Sequence, residues 1–362
     1  MRKGMSRIRI YYLLIPILCL LFYSCGPKKV EIQPEADYIF YPSLPNNPRY
    51  QYLTTFSTSK DIEKEKSKLL KFVAGQEEEK PRGIQKAYGV DIYDGVIYVC
   101  DIGGGVVVTL NLKTREFGYI GLSGSGKTIK PVNVEVDAEN QIIYVADIGR
   151  KQVVSFDLSG KPLMFYGKKE QFEPSDVDFY GDSLFVCDVK GHKIHVLDRK
   201  TGDPLYEIGK PGSADGELFH PSNICIHEDR LYVSDTTNFR VQVFDLEGKF
   251  LRKYGRIGDS PGEFSRNKGI AVDKEGRIYV VDAAFENVQV FDRDFKLLLF
   301  MLNPGGERHN INLPAGIAID YDNLEYFKPF LSPRFEAEYL LFVTSNFGLN
   351  KVNVYAFGTY QQ

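Results

Sequence analysis

Histidine is scarce in this sequence, and what there is does not converge. Among 362 residues there are five, His192, His195, His220, His227 and His309. On a strand, His192 and His195 would face opposite ways, as would His220 and His227. Only His220 stands in the slot before an inner strand of the repeat described below, so no three-histidine metal set is visible and neither a metal nor a cofactor is expected. Cysteine is also sparse: beyond Cys19 and Cys25 near the N-terminus there are Cys100, Cys187 and Cys225, an odd number at irregular spacing that argues against a disulfide framework. Cys100 and Cys187 share the contexts YVCD and FVCD and read as small buried hydrophobes. An excess of basic charge is missing as well. The net charge is -3, and the first 24 residues hold four basic and no acidic groups, so the remainder stands near -7, which disfavours a nucleic-acid partner.

What is present begins with the leader MRKGMSRIRIYYLLIPILCLLFYSCG, in which Arg2, Lys3, Arg7 and Arg9 precede or interrupt an apolar run. That order is a secretory signal rather than a membrane span. Its ending, LFYSC, resembles a bacterial lipobox, which implies cleavage after residue 24 and lipidation of Cys25. Acyl chains contribute about 0.8 kcal/mol per buried methylene, so Cys25 would be a firm membrane anchor. Gly26 follows Cys25 where an inner-membrane retention signal has aspartate, so the expected location is the outer membrane. Residues 25–48 are proline-rich without apolar period and are expected to be an extended tether, with the fold occupying 49–362.

Internal repetition decides the fold. YVCD ends at Asp101, YVAD at Asp147, FVCD at Asp188, YVSD at Asp235 and YVVD at Asp282, in steps of 46, 41, 47 and 47, with a sixth copy, LFVTS, ending at Ser345. Each phrase follows a short apolar segment and a turn and precedes another alternating strand, as in RVQVFDLEGK. About four short strands per period of ~40 to 50 residues means a propeller blade. The fourth unit, HPSNICIHEDRLYVSDTTNFRVQVFDLEGKFLRKYG, resembles the NHL repeat, and the likeness extends over roughly residues 83–358. It implies an all-β, six-bladed β-propeller. The sixth unit lacks an outer strand, while RYQYLTTFS at 49–57 is an alternating strand with no neighbour; the expectation is that it completes blade six and closes the ring.

Two stretches imitate catalytic motifs. GLSGSGKT, Gly121–Thr128, satisfies the phosphate-binding pattern G-x-x-x-x-G-K-[ST], which requires a helix after the loop. Here Pro131 and the alternating Val132, Val134 and Val136 announce a strand, so the stretch reads as a blade-to-blade connector and no nucleotide is expected. GDSPG, Gly258–Gly262, matches the nucleophile elbow but sits in an equivalent connector, with Pro261 directly after Ser260. The repeated Asp101, Asp147, Asp188, Asp235 and Asp282 read as acceptors for backbone N–H groups of the following turn.

The remaining candidates come from asymmetry. Residues 61–80 are a charged insertion in which Ile62, Leu69, Leu70 and Phe72 suit a short amphipathic helix. Residues 321–338 are an aromatic insertion in blade six, whose Tyr326, Phe327, Phe330 and Phe335 are candidate partner anchors. On the opposite face, Arg150, Lys151, Lys190, Lys193 and Arg240 form a basic set for an acidic ligand or partner, on the face that commonly receives ligands in NHL-type propellers. The expected function is a lipid-anchored envelope scaffold that binds a protein or ligand through its propeller faces. The alternative implied by the resemblance is a metal-dependent lyase or a lactonase- or esterase-type hydrolase working in the central channel.

Overall fold

Every blade of the propeller is built from one alternating pattern. The computed structural model describes residues 38–63, 80–168, 171–301 and 311–361. Cys25 and the leader lie outside the described residues, as does most of the charged insertion. Five sheets have four antiparallel strands and the sixth has five. The innermost strands are Ala87–Tyr93, Pro131–Asp137, Pro174–Tyr180, Pro221–His227, Asn267–Val272 and Pro314–Asp320. The second and third strands of each blade are almost wholly buried, because both their faces meet a neighbouring blade.

The core is accordingly divided among the blade interfaces. Cys100, Val107 and Ile120 of blade one pack with Val134, Ile143 and Phe156 of blade two. Cys187 and Ile194 of blade three pack likewise with Ile224 and Leu231 of blade four. Both cysteines are buried apolar fillers, and burial pushes their thiols well up.

Blade six is assembled from both ends of the chain. Tyr50–Phe56 pairs antiparallel with Val352–Tyr360, matching Tyr50 to Phe357 and Phe56 to Val352, so the N-terminal strand closes the ring as the missing fourth strand implied. One element was not anticipated. Ile39–Tyr41, within the stretch read as tether, is a fifth strand that pairs outside Tyr50–Phe56 and covers its edge. Phe40 is buried there against Phe335 and Tyr360, which supplies the reason the strand forms.

A chain of hydroxyls fastens this closure to its neighbours. Tyr50 and Tyr279 share a hydrogen bond of 3.0 Å, Tyr279 bonds Tyr339, and Tyr339 donates to Asp273 at 2.8 Å. Arg277 pairs with the same carboxylate at 2.6 Å. The closing strand is thereby bonded to blades five and six at once.

Candidate functional site

Inner strands approach one another most closely along the axis, and their third residues show how. In blades one, five and six these are Gly89, Gly269 and Gly316, and in blades two, three and four Asn133, Asp176 and Asn223. A Cβ on Gly316 would fall on the Tyr88 carbonyl oxygen, and one on Gly269 would lie 2.7 Å from the Ala315 oxygen. Neighbouring backbones therefore come too close there for any side chain. The fifth residues repeat the division: Asp91, Glu135 and Asp178 in blades one to three, Cys225 in blade four, and Ala271 and Ala318 in blades five and six. Between these layers lies an axial cavity of about 190 Å³ with a carboxyl-rich wall and a small apolar wall.

The axial aspartates join blades. Asp91 accepts from the backbone N–H of Ile92 and, across the interface, of Val136 at 2.8 Å. Asp178 does the same with Phe179 and with Ile226 of blade four. Asp176 accepts from Val177, from Ile224 at 2.8 Å, and from the amides of Asn133 and Asn223 on either side. Burial nonetheless outweighs these donors and pushes all three carboxyls up to about 7. Glu135, one methylene longer, makes no such bridge, and burial together with Asp91, Asp178 and Asp176 raises it well above the usual range. Among the described residues, no three His, Cys, Asp or Glu side chains converge at metal-ligand spacing. Sequence reasoning missed this wall. The signal was available: an acid flanked by apolar residues mid-strand, as in VDI, VEV and VDF, occupies a position that alternation assigns to the axis.

The repeated aspartates at the ends of the second strands are architectural, as their pattern suggested, and reach further than the following turn. Asp147 accepts from Gly149 and Arg150 in its turn and from Ile129 and Lys130 in the connector before the inner strand. Asp101 and Asp282 repeat the arrangement. Each ties one turn to one connector.

Both catalytic look-alikes are connectors in the structure. Thr128 is buried and donates to Gly105 O at 2.7 Å, Gly126 abuts Phe156 and Pro162, and a strand begins at Pro131. Ser260 lies exposed in a turn held by Glu263, and the next strand is Asn267–Val272.

The basic set is engaged by its surroundings. Arg240 is buried, paired with Asp235 at 2.8 Å and bonded to the carbonyls of Ser213, Ala214 and Glu217. Arg150 grips the carbonyls of Ser125 and Lys127 and lies over Phe165. Lys151 and Lys190 both meet Glu173, and Lys193 meets Glu207 at 2.7 Å. Arg240 thus serves the blade interior, because a guanidinium's five donors suit a cluster of connector carbonyls.

The aromatic insertion is shorter than its sequence suggested. Leu324–Phe330 is a 3-10 helix, and Phe335–Ser345 is already the second strand of blade six. Phe327 is buried between Phe56 and Phe342, and Phe335 is buried against Phe40. Tyr326 is half-buried, leaving Phe330 as the exposed ring of the four. The insertion covers the base of blade six because the closing strand's apolar face needs a partner there. The 3-10 turn Ser59–Asp61 leads into the charged insertion, where Ile62 is buried and Leu69, Leu70 and Phe72 lie outside the described residues.

Large apolar side chains are exposed elsewhere. Antiparallel topology puts the blade-to-blade connectors and the turns between second and third strands on one face. Leu122, Ile129, Phe219 and Ile257 on the connectors, and Phe347 and Leu349 on the blade-six turn, are exposed there, from 38% for Phe219 to 88% for Leu349. No described helix is long and apolar enough to cross a membrane.

Comparison with known proteins agrees with this architecture. A family described as "6-bladed beta-propeller" matches residues 214–301. No curated protein matches the chain. Among solved structures, a gluconolactonase from Xanthomonas campestris is similar with a TM-score of 0.57 and 16% identity, covering 87% of this chain and 91% of that one. A structural genomics protein of unknown function from Bacteroides thetaiotaomicron is similar with a TM-score of 0.58 and 14% identity, over 84% and 75% of the two chains. A catalytically inactive histidine-to-alanine variant of virginiamycin B lyase from Staphylococcus aureus, solved with quinupristin, is similar with a TM-score of 0.53 and 10% identity, over 76% and 96%. At such identities the likeness is one of fold alone: this chain is a six-bladed, all-β propeller whose ring is closed by joining its N-terminal strands to its C-terminal ones.

Proposed function

We propose that this protein is a lipid-anchored envelope scaffold that presents the connector face of its propeller to a partner protein. The observation that carries the reading is the set of exposed apolar side chains on that face, Leu122, Ile129, Phe219, Ile257, Phe347 and Leu349. Water-exposed groups of this size each gain about 1.5–3 kcal/mol when buried. The five basic residues of the same face serve as rim or framework rather than as the attractive centre, because each is already held by a carboxylate or by backbone carbonyls within the chain. The anchor is Cys25, which places the propeller at the outer membrane.

The test is chemical crosslinking in envelope preparations followed by recovery of the protein. A partner crosslinked to the wild type is expected to be lost when Ile129, Ile257 and Leu349 are changed together to aspartate. Recovery of the same partner by the triple variant would remove this face from consideration. Incorporation of labelled palmitate, expected in the wild type and absent from Cys25→Ala, checks the anchor separately.

The lyase and lactonase activities of the structural neighbours favour the catalytic alternative through fold alone. At 10% identity that likeness carries no catalytic residue over to this chain, and among the described residues no histidine lines the axial cavity. Cys225 is on that wall, but burial and the carboxyls of Asp178 and Glu135 push its thiol well up, which disfavours the nucleophilic thiolate.

A further inference from the structure

The unpartnered polar atoms on the wall of the axial cavity are carboxyl and amide oxygens. Asp91, Asp176 and Asp178 have protein donors, whereas Glu135 meets none among the described residues. Asn223, only 4% exposed, gives its amide N–H to Asp176 at 3.1 Å and keeps an Oδ1 that no donor reaches. No Lys, Arg or His side chain is among the lining residues. The facing wall, with Gly269, Ala271, Gly316 and Ala318, offers hydrocarbon and no polar side chain.

These features select a ligand class. A buried acceptor without a donor costs about 1–3 kcal/mol, and a buried carboxylate without a counter-charge costs more. A neutral alcohol can donate one hydrogen bond but brings no charge to offset a carboxylate. A divalent metal wants several ligands at short range, and the side chains do not converge in that way. A primary ammonium has three donors, a positive charge and no acceptor. We propose that the axial cavity binds a small primary alkylammonium, its charged end facing Glu135 and the Asn223 Oδ1 and its alkyl part against Ala271 and Ala318.

The ionisable groups around Glu135 support this. Asp91, Asp178, Asp176 and Asp137 all raise its carboxyl in addition to burial, and Cys225 shares the wall. A cation that enters therefore displaces a proton, and its affinity rises with pH.

Calorimetric titration of the full chain with propylammonium chloride tests the proposal, with propan-1-ol, calcium chloride and magnesium chloride titrated in parallel. Expected are saturable one-to-one binding of propylammonium, none of propanol, and a proton release visible as a dependence of the heat on the buffer. Glu135→Gln, nearly isosteric, is expected to weaken binding by about tenfold or more. Ala271→Leu, which fills the apolar wall, should weaken it through shape. Absence of saturable propylammonium binding to the wild type overturns the proposal. So does equal binding of propanol, calcium or magnesium binding that propylammonium fails to displace, or affinity unchanged in the folded variants. If either variant fails to fold, the wild-type titrations and the other variant decide.

Discussion

Acidification from pH 8 to pH 5 should stabilise this protein, and the axial carboxyls set the size of the effect. Asp91, Asp176 and Asp178 stand near 7 in the fold, pushed up by burial, against about 4 for an unfolded aspartate. Between those values the folded state binds protons that the unfolded state releases. The associated stability is fully present below about pH 4 and is lost as pH rises through about 7. One such carboxyl titrating alone contributes about 3 kcal/mol between pH 8 and pH 5. The three share one cavity and suppress one another's ionisation, so they act as a coupled set rather than as three independent increments. At roughly 1.5 °C per kcal/mol for a folded chain of this length, even one carboxyl's worth raises Tm by about 4 °C. His192 opposes the trend, since burial and the neighbouring His220 lower its pKa and disfavour its protonation in the fold. In Asp137 and Asp188, burial is outweighed by hydrogen bonds from Asn140 and Arg199, and from His195, which lower both; their contribution is present above about pH 4 and is lost only below the window. Differential scanning calorimetry across this range, repeated with Asp178→Asn, is the assay. The variant should show a shallower rise. A Tm that is flat or falls from pH 8 to pH 5 would refute the assignment of protonated axial carboxyls.

Further perturbations test the framework around that cavity. Gly316→Ala sets a methyl against the Tyr88 carbonyl of the next blade, and overpacking of this kind should cost about 1–3 kcal/mol in urea denaturation, an unchanged midpoint meaning that the inner strands can part. Asp147→Ala strips one acceptor group from the backbone N–H groups of Ile129, Lys130, Gly149 and Arg150, and at about 1 kcal/mol each the loss should approach 4 kcal/mol, whereas a surface role would leave the midpoint within ~0.5. For the closing strand, Tyr50→Phe should cost about 1 kcal/mol through its bond to Tyr279, and Tyr50→Ala about 3–5; equal small effects would mean that the closure contributes little.

The ring was legible because its signal is carried six times, in a phrase that in five copies ends on an aspartate tying turn to connector. The closing strand was legible through a deficit, one strand short at one end and one over at the other. Ile39–Tyr41 was not, since three residues have too little alternation to stand out from a proline-rich run, and the strand exists only because Phe40 finds Phe335 and Tyr360. Surface assignments fared worst. Composition shows that Arg240 is charged and Phe327 is aromatic, but not that one turns inward to Asp235 and the other to Phe342. Burial of a long side chain depends on which connector or strand it meets, and no local pattern encodes that meeting.

The axial wall shows how a repeat protein departs from its own symmetry. Six inner strands converge on a line, and the cross-section there cannot hold six full side chains in each layer. Gly89, Gly269 and Gly316 concede the space by letting backbones touch, which leaves room for Asn133, Asp176 and Asn223 on the other side. The same exchange in the next layer sets Ala271 and Ala318 against Asp91, Glu135 and Asp178. Three of the four axial carboxyls then acquire backbone donors from the next blade, Asp91 of blade one from Val136 of blade two, and Asp176 and Asp178 of blade three from Ile224 and Ile226 of blade four. Glu135 is the exception, and its extra methylene removes it from that bridging geometry. A purely architectural demand would be met by aspartate at that position, as it is in the blades on either side. The residue that breaks the bridging rule is therefore the one through which the cavity can take a ligand.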